Sequence, residues 1–308
     1  TLDITPGPEV AFAFEGWAPG AKLRKQVRTI WSDGVFDQQR ADDATQALRT
    51  ALIEDGYLEA KIESKVSNSE RKLVVFDVQR GIKYGSAELQ FPGASGIKAS
   101  ELKKLFRRRE LRASLYSDTP KVRDLLQSYY RDRGYLDASV KLPQAAFDAS
   151  TAMARVLVAV TEGLRYQVAS VKFAGNTAMK REQLVEKSEL KENEPFELPR
   201  RQVSIDQLRE LYLSAGYHDA QVETSVERGK GTVDVTYRIN EGLKEVVDKV
   251  EVSGNDATSE ALVRSQIALK AGEALEPAKL AESRRNLYST GAYSLVDLER
   301  VPTGDLSR

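Results

Sequence analysis

The chain contains no cysteine and only one histidine, His218. The first absence excludes disulfides, thiolate metal sites and a cysteine nucleophile. The second excludes a multi-histidine metal centre. A surplus of one charge is also missing, because 46 basic residues face 46 acidic ones. A nucleic-acid partner asks for a basic surplus to neutralise its phosphates, so the balance argues against one. No run approaches the ~20 apolar residues of a membrane helix. The first residues, TLDITPGPEV, show no basic head or apolar core of a signal peptide and read as the middle of a strand. No phosphate-binding G-x-x-x-x-G-K run occurs. What is present is a soluble profile, 41% hydrophobic and 30% charged over 308 residues. The chain reads as an internal piece of a longer protein, with no cofactor, metal or catalytic constellation to propose. The absence of cysteine suits cytosol and periplasm alike.

The informative feature is internal repetition. A glycine–tyrosine pair recurs at Gly56-Tyr57, Gly134-Tyr135 and Gly216-Tyr217, with a looser copy at Gly291-Ala292-Tyr293; the steps are 78, 82 and 75 residues. A second landmark is an alternating apolar run that ends on Gly16, Gly93, Gly175 or Gly254, in steps of 77, 82 and 79. A third is the glycine of Pro6-Gly7, Arg80-Gly81, Glu162-Gly163 and Glu241-Gly242. Three landmarks at one period divide the chain. Residues 1–7 read as the last strand of a preceding module; 8–81, 82–163 and 164–242 as complete modules; and 243–308 as a module lacking its final strand.

Within a module the pattern changes period in a fixed order. Gln167 to Phe173 alternates as a half-buried strand does. Asn176-Thr177 offers a helix start, and MKREQLVEKSEL follows at helical spacing. A second helix runs from about Arg200 to Ser214, where Val203, Ile205, Leu208, Leu211 and Tyr212 form an apolar stripe and Gly216 stops it. Two alternating runs around Gly229-Lys230-Gly231 read as a hairpin. The order is β-α-α-β-β. The class is α+β, with each module a three-stranded mixed sheet covered by two helices and the modules arranged as an elongated string. The third strand is the most apolar, as in VVFDV and VLVAV, and is expected at the centre. The first then flanks it in parallel, and the second becomes an edge.

These residues resemble a known family. The strand order, the linkers EGLRY and EGLKE, the strand ends VKFAGN and VEVSGN, and the turns GYLEA, GYLDA and GYHDA look like POTRA domains, the polypeptide-transport-associated modules of outer-membrane assembly proteins. The count implies a parent with at least five modules, which resembles BamA-type factors more than TamA-type or two-partner secretion proteins. The resemblance implies a periplasmic scaffold whose parent is anchored by a carboxy-terminal outer-membrane β-barrel. Its implied partners are unfolded outer-membrane β-barrel proteins, periplasmic chaperones and accessory lipoproteins. A purely architectural spacer is the competing function.

An open edge can pair with an extended client strand by β-augmentation, largely whatever the client's sequence. The candidate edges are Ala60–Val66, with Lys61, Ile62 and Glu63; Ala138–Leu142, with Ser139, Val140 and Lys141; Ala220–Val226, with Gln221, Val222 and Glu223; and Leu295–Val301, with Val296, Asp297 and Leu298. The alternative is that lysine and glutamate merely blunt these strands. Charge is unevenly spread: residues 81–162 hold 14 basic and 9 acidic side chains. Lys103, Lys104, Arg107, Arg108, Arg109 and Arg112 cluster on or just after that module's first helix. They read either as a contact for an acidic partner or anionic headgroups, or as a helix end complementing its dipole. His218 takes the slot of leucine in GYLEA and GYLDA and reads as structural.

Overall fold

A computed structural model describes residues 10–31, 38–68, 72–256 and 258–302. The chain divides into two units: residues 1–130 with 137–163, and residues 131–136 with 164–308. The strand expected at residues 1–7 lies outside the described residues.

The first unit opens with β1 (Ala11–Glu15), α1 (Ala21–Ile30), α2 (Gln38–Glu54), β2 (Lys61–Asn68) and β3 (Lys72–Gln79). The sheet order is β1-β3-β2, with β1 parallel and β2 antiparallel to β3. The central strand is therefore the third in sequence, as its apolar character requires. Val74, Phe76 and Val78 pack beneath Val27, Ala41, Ala44, Leu48 and Leu52 of the helices, all buried. Phe14 lies beside Phe76 in the parallel register and stacks on it at 5.4 Å.

The second repeat has β4 (Ser86–Gln90), α3 (Ala99–Leu105), α4 (Arg109–Ser117), α5 (Thr119–Asp132), β5 (Ser139–Val140), β6 (Gln144–Asp148), β7 (Met153–Leu157) and β8 (Val160–Thr161). Its sheet order is β4-β7-β6, while β5 pairs with β8. Two features depart from the simple repeat. First, α4 is a third helix. It buries Ala113 and Leu115, and Arg49 Nη2 and Gln46 Nε2 on α2 donate to the carbonyls of Tyr116 and Ser117 at its end. Ile53, Leu58, Tyr84, Ala113 and Ala154 make a joint cluster there, lined by Tyr116 and Phe147. Second, the hairpin is broken. Val140 pairs with Val160 but Gln144 with Leu157, so one extra residue is accommodated at Leu142-Pro143. That is a bulge, placed where proline offers no N–H.

The second unit has β9 (Gln167–Ala174), α6 (Arg181–Lys187), α7 (Leu198–Ser214), β10 (Gln221–Arg228), β11 (Thr232–Asn240), α8 (Glu260–Gln266) and α9 (Pro277–Ser289). The order β10-β11-β9 repeats the first sheet, with the same mixed directions. Phe173 stacks on Tyr237 at 5.4 Å, as Phe14 does on Phe76. Proline near the start of α7 and α9 suits the first helical turn, whose N–H groups need no helical partner. Ser204 of α7 donates to the Arg200 carbonyl and accepts from Glu189 N; Ser283 of α9 does the same with Lys279 and Ala268. The fourth repeat thus rebuilds the helix pair of the third, but α9 has 13 residues against 17 in α7 and ends one turn early. Residues 247–254, which carry the first-strand pattern, form no ladder, and no third strand lies beside them among the described residues.

The landmark glycines have physical causes. Gly175 ends β9 in the left-handed region, φ +86°, and a Cβ there would collide with the carbonyl oxygen of Ile239 on the central strand. Gly16 and Gly93 meet Val78 and Val160 in the same way, whereas Gly254 has nothing within 4 Å. The helix-ending glycines also receive the next linker: Tyr84 N donates to Gly56 O at 2.9 Å, Tyr166 N to Gly134 O at 2.8 Å and Glu245 N to Gly216 O at 2.8 Å.

Two alanine substitutions separate the causes at the strand ends. Gly175→Ala combines left-handed strain with backbone collision and should cost about 3 kcal/mol or more. Gly254→Ala meets only the strain and should cost about 1 kcal/mol. Denaturant unfolding of the two variants checks this, and equal losses would contradict the packing argument.

Candidate functional site

The candidate site is the outward side of the second strand in each sheet. Because β3 and β11 occupy the centres, β2 and β10 pair on one side only among the described residues. In an antiparallel pair, alternate residues turn N–H and C=O away from the partner, so each of these eight-residue strands presents a row of outward-facing backbone groups. Lys61 and Glu63 are exposed, and Ile62 is half-buried against the core. Gln221 and Glu223 are exposed while Val222 is buried. Strand side chains project from the faces of a sheet rather than along its edge.

The other sheet edge in the third repeat is partly occupied. The connection between α6 and α7 folds back along β9: Val168 N donates to Glu194 O, Asn193 N to Val168 O, and Phe196 N to Tyr166 O. Gln167 and Pro195 form an antiparallel bridge. The second strand is thus the more open of the two edges. The sequence reading missed this cover, and its signal was the polar stretch KENEPFELP, which has no periodicity.

The other candidate residues fall differently. Ser139 and Val140 lie in the two-residue β5, with Val140 buried, and Lys141 N is held by the carbonyl of Ala159 at 2.9 Å. Both β5, with its single neighbour β8, and β6, beyond the bulge, pair on one side only among the described residues, and Ala145 and Ala146 of β6 are exposed. Val296, Asp297 and Leu298 lie in a segment that forms no strand, and Leu295 and Val301 at its ends are 78% and 76% exposed. An edge needs a neighbour, and none is described there. Lys103 and Lys104 end α3, Arg107 and Arg108 lie in the turn, and Arg109 and Arg112 begin α4; all six are exposed. His218 Nε2 bonds the Leu275 carbonyl, so it ties the third repeat to the fourth.

Two buried carboxylates hold the loop that follows the first strand. Glu162 accepts from Ser95 N, Ser95 Oγ, Gly96 N and Ile97 N at 2.8–3.3 Å. Glu241 accepts from Thr177 N, Thr177 Oγ1, Ala178 N and Tyr212 Oη. Burial opposes ionisation of each, but these donors together outweigh it and hold both carboxyls below the ordinary 4.5. The E-G of the repeated linker is therefore a latch fastening the first strand to the third. In the first repeat Arg80 takes this position and lies over the Tyr57 ring at 5.1 Å. Among the described residues, no group of three or more histidine or acidic side chains could hold a metal ion. No helix among them is long and apolar enough to cross a membrane.

Comparison with known proteins bears on the same repeats. The family model POTRA, described as "Surface antigen variable number repeat", matches residues 14–81, 166–242 and 245–307. An "Outer membrane protein assembly factor BamA" of Nitratidesulfovibrio vulgaris (strain Hildenborough) is 27% identical over 298 residues, 92% of this chain and 37% of the relative. A "Putative outer membrane protein assembly factor" of Treponema pallidum is 24% identical over 272 residues, 84% of this chain and 32% of the relative. The solved POTRA3-5 region of Haemophilus influenzae BamA is 20% identical, covers 76% of this chain and 96% of its own, and has a TM-score of 0.43. The chain spans about a third of the length of these curated relatives.

Glu241→Ala leaves several buried donors without an acceptor and should destabilise the second unit by about 2–3 kcal/mol at neutral pH. The latch carboxyl titrates lower in the folded chain than in the unfolded one. Its stabilisation is therefore complete above pH 4.5 and disappears as pH falls through the folded value. Denaturant titrations should show the gap between wild type and Glu241→Gln closing on acidification below 4.5; a gap that widens would contradict the latch.

Proposed function

This chain belongs to the POTRA family, and from that premise we propose that it is the periplasmic receptor and scaffold region of a BamA-type outer-membrane β-barrel assembly factor, binding clients rather than catalysing a reaction. The observation that carries the reading is the recurrence of an open antiparallel edge at the second strand of each three-stranded sheet. An unfolded barrel protein is rich in extended, alternating strands. Backbone pairing along β2 or β10 accepts such strands regardless of side chain, which suits a receptor for many clients. The eight-residue length of both edges is close to that of a barrel-spanning strand, about 9–11 residues. The bulged, five-residue edge of β6 is the weaker acceptor. Periplasmic chaperones and accessory lipoproteins are the further partners this reading expects. Module boundaries near residues 81, 163 and 242 follow from it as well, since each is a glycine leading into the next linker.

Photoreactive side chains at the exposed edge positions Glu63, Ala146 and Glu223 test the proposal, with Leu298 and a helix-face position as controls. Unfolded barrel precursor should crosslink at Glu63 and Glu223, less at Ala146, and at background levels at the controls. Failure at all three edges would leave an architectural spacer as the better account.

A further inference from the structure

Six basic side chains crowd ten positions between α3 and α4: Lys103, Lys104, Arg107, Arg108, Arg109 and Arg112. Some arginines elsewhere find carboxylates, as in Arg155–Glu88 at 3.3 Å, Arg165–Glu197 at 3.0 Å and Arg200–Glu194 at 2.7 Å, whereas others, such as Arg24 and Arg181, bond backbone carbonyls. Arg107, Arg108 and Arg109 have no ion pair among the described residues. Two nearby acids are engaged: Glu101 accepts from Tyr129 Oη, and Glu88 is held by Arg155; Glu110, in the first turn of α4, is the one acidic side chain between Lys103 and Arg112.

Local structure accounts for only part of this cluster. Lys103 and Lys104 lie in the last turn of α3, where the helix dipole favours a cation. Arg108 and Arg109 are the cap and first residue of α4, where the same dipole disfavours one. Their mutual repulsion adds to that cost. The fold asks only for the inner face of α4, where Ala113, Ser114 and Leu115 are buried. The outer arginines thus carry a local penalty that a ligand would offset.

We propose that this cluster docks on the anionic phosphate headgroups of a membrane surface. Guanidinium groups suit phosphate because they donate in a planar fork. The hydrophobic residues around them turn inward: Leu102 and Phe106 are buried, and Leu105 and Leu111 half-buried. A protein interface is anchored by apolar side chains in a dehydrated core, whereas a headgroup surface needs only charge. The patch offers charge without such an anchor. The inference rests on the proposed assembly role only for the nearness of a membrane. Its test does not involve the sheet edges.

Co-sedimentation of the 308-residue chain with vesicles of equal parts phosphatidylcholine and phosphatidylglycerol tests it. The chain should bind these vesicles, bind phosphatidylcholine alone far less, and release as salt is raised. Replacing Arg107, Arg108 and Arg109 by Gln should lower the bound-to-free ratio about tenfold or more. Melting and edge crosslinking of that variant should not change. Equal binding by the variant, or no binding by the wild type, would overturn the proposal. So would displacement by free inorganic phosphate at matched ionic strength, which would indicate a site for an isolated anion. Arginine-dependent binding of soluble polyglutamate by a chain that does not bind the anionic vesicles would assign the patch to an acidic protein instead.

Discussion

The parallel pairing of the first strand with the third is the constraint from which the rest follows. Two helices separate the first strand from the second, and a tight hairpin joins the second to the third. Once β3 lies parallel to β1, or β11 to β9, the hairpin partner can only add on the far side. An open second strand is thus a consequence of topology rather than of any residue on it. This explains why the edges recur while their side chains vary, from Lys61-Ile62-Glu63 to Gln221-Val222-Glu223.

The recurring residues serve that pairing. Phe14 on Phe76 and Phe173 on Tyr237 fill the same site across it. Gly175 lets the first strand close on the Ile239 carbonyl, and Glu241 fastens the following loop to the end of the same central strand. The helix-ending glycines do a different task, since their carbonyls take an N–H from the end of the next linker. Repeats can therefore be joined without consuming the edge. On the proposed reading, a scaffold built this way multiplies client-binding edges by adding modules, and the basic turn before α4 adds a contact of another kind.

Much of this was legible in the sequence because it is periodic. Two strand periods around two helical ones, repeated at near-constant spacing, identify the module, and the apolar excess of VVFDV and VLVAV identifies its central strand. What stayed hidden was local geometry that side-chain periodicity does not encode. The helix α4, in RELRASLYS, has no counterpart in the other repeats among the described residues, and it packs in a cluster with residues of α2, β6 and β7. The bulge at Leu142-Pro143 interrupts the second repeat's open edge, dividing it into the two-residue β5 and the five-residue β6. The cover over β9 comes from backbone bonding, to which side-chain patterning is blind. Val296, Asp297 and Leu298 have the right alternation, but alternation makes a strand only where a neighbour is available to pair with it. The glutamates of the E-G linkers were visible as motif letters, yet their four-donor latches required the loop geometry.

The central claim is that clients pair with the outward-facing backbone of β2 and β10. Amide hydrogen exchange with and without an unfolded barrel client tests it most directly. The account predicts new protection at alternate amides within residues 61–67 and 221–228, where the outward N–H groups gain partners. Protection confined to the helices, with exchange along both strands unchanged while the client is bound, would contradict it.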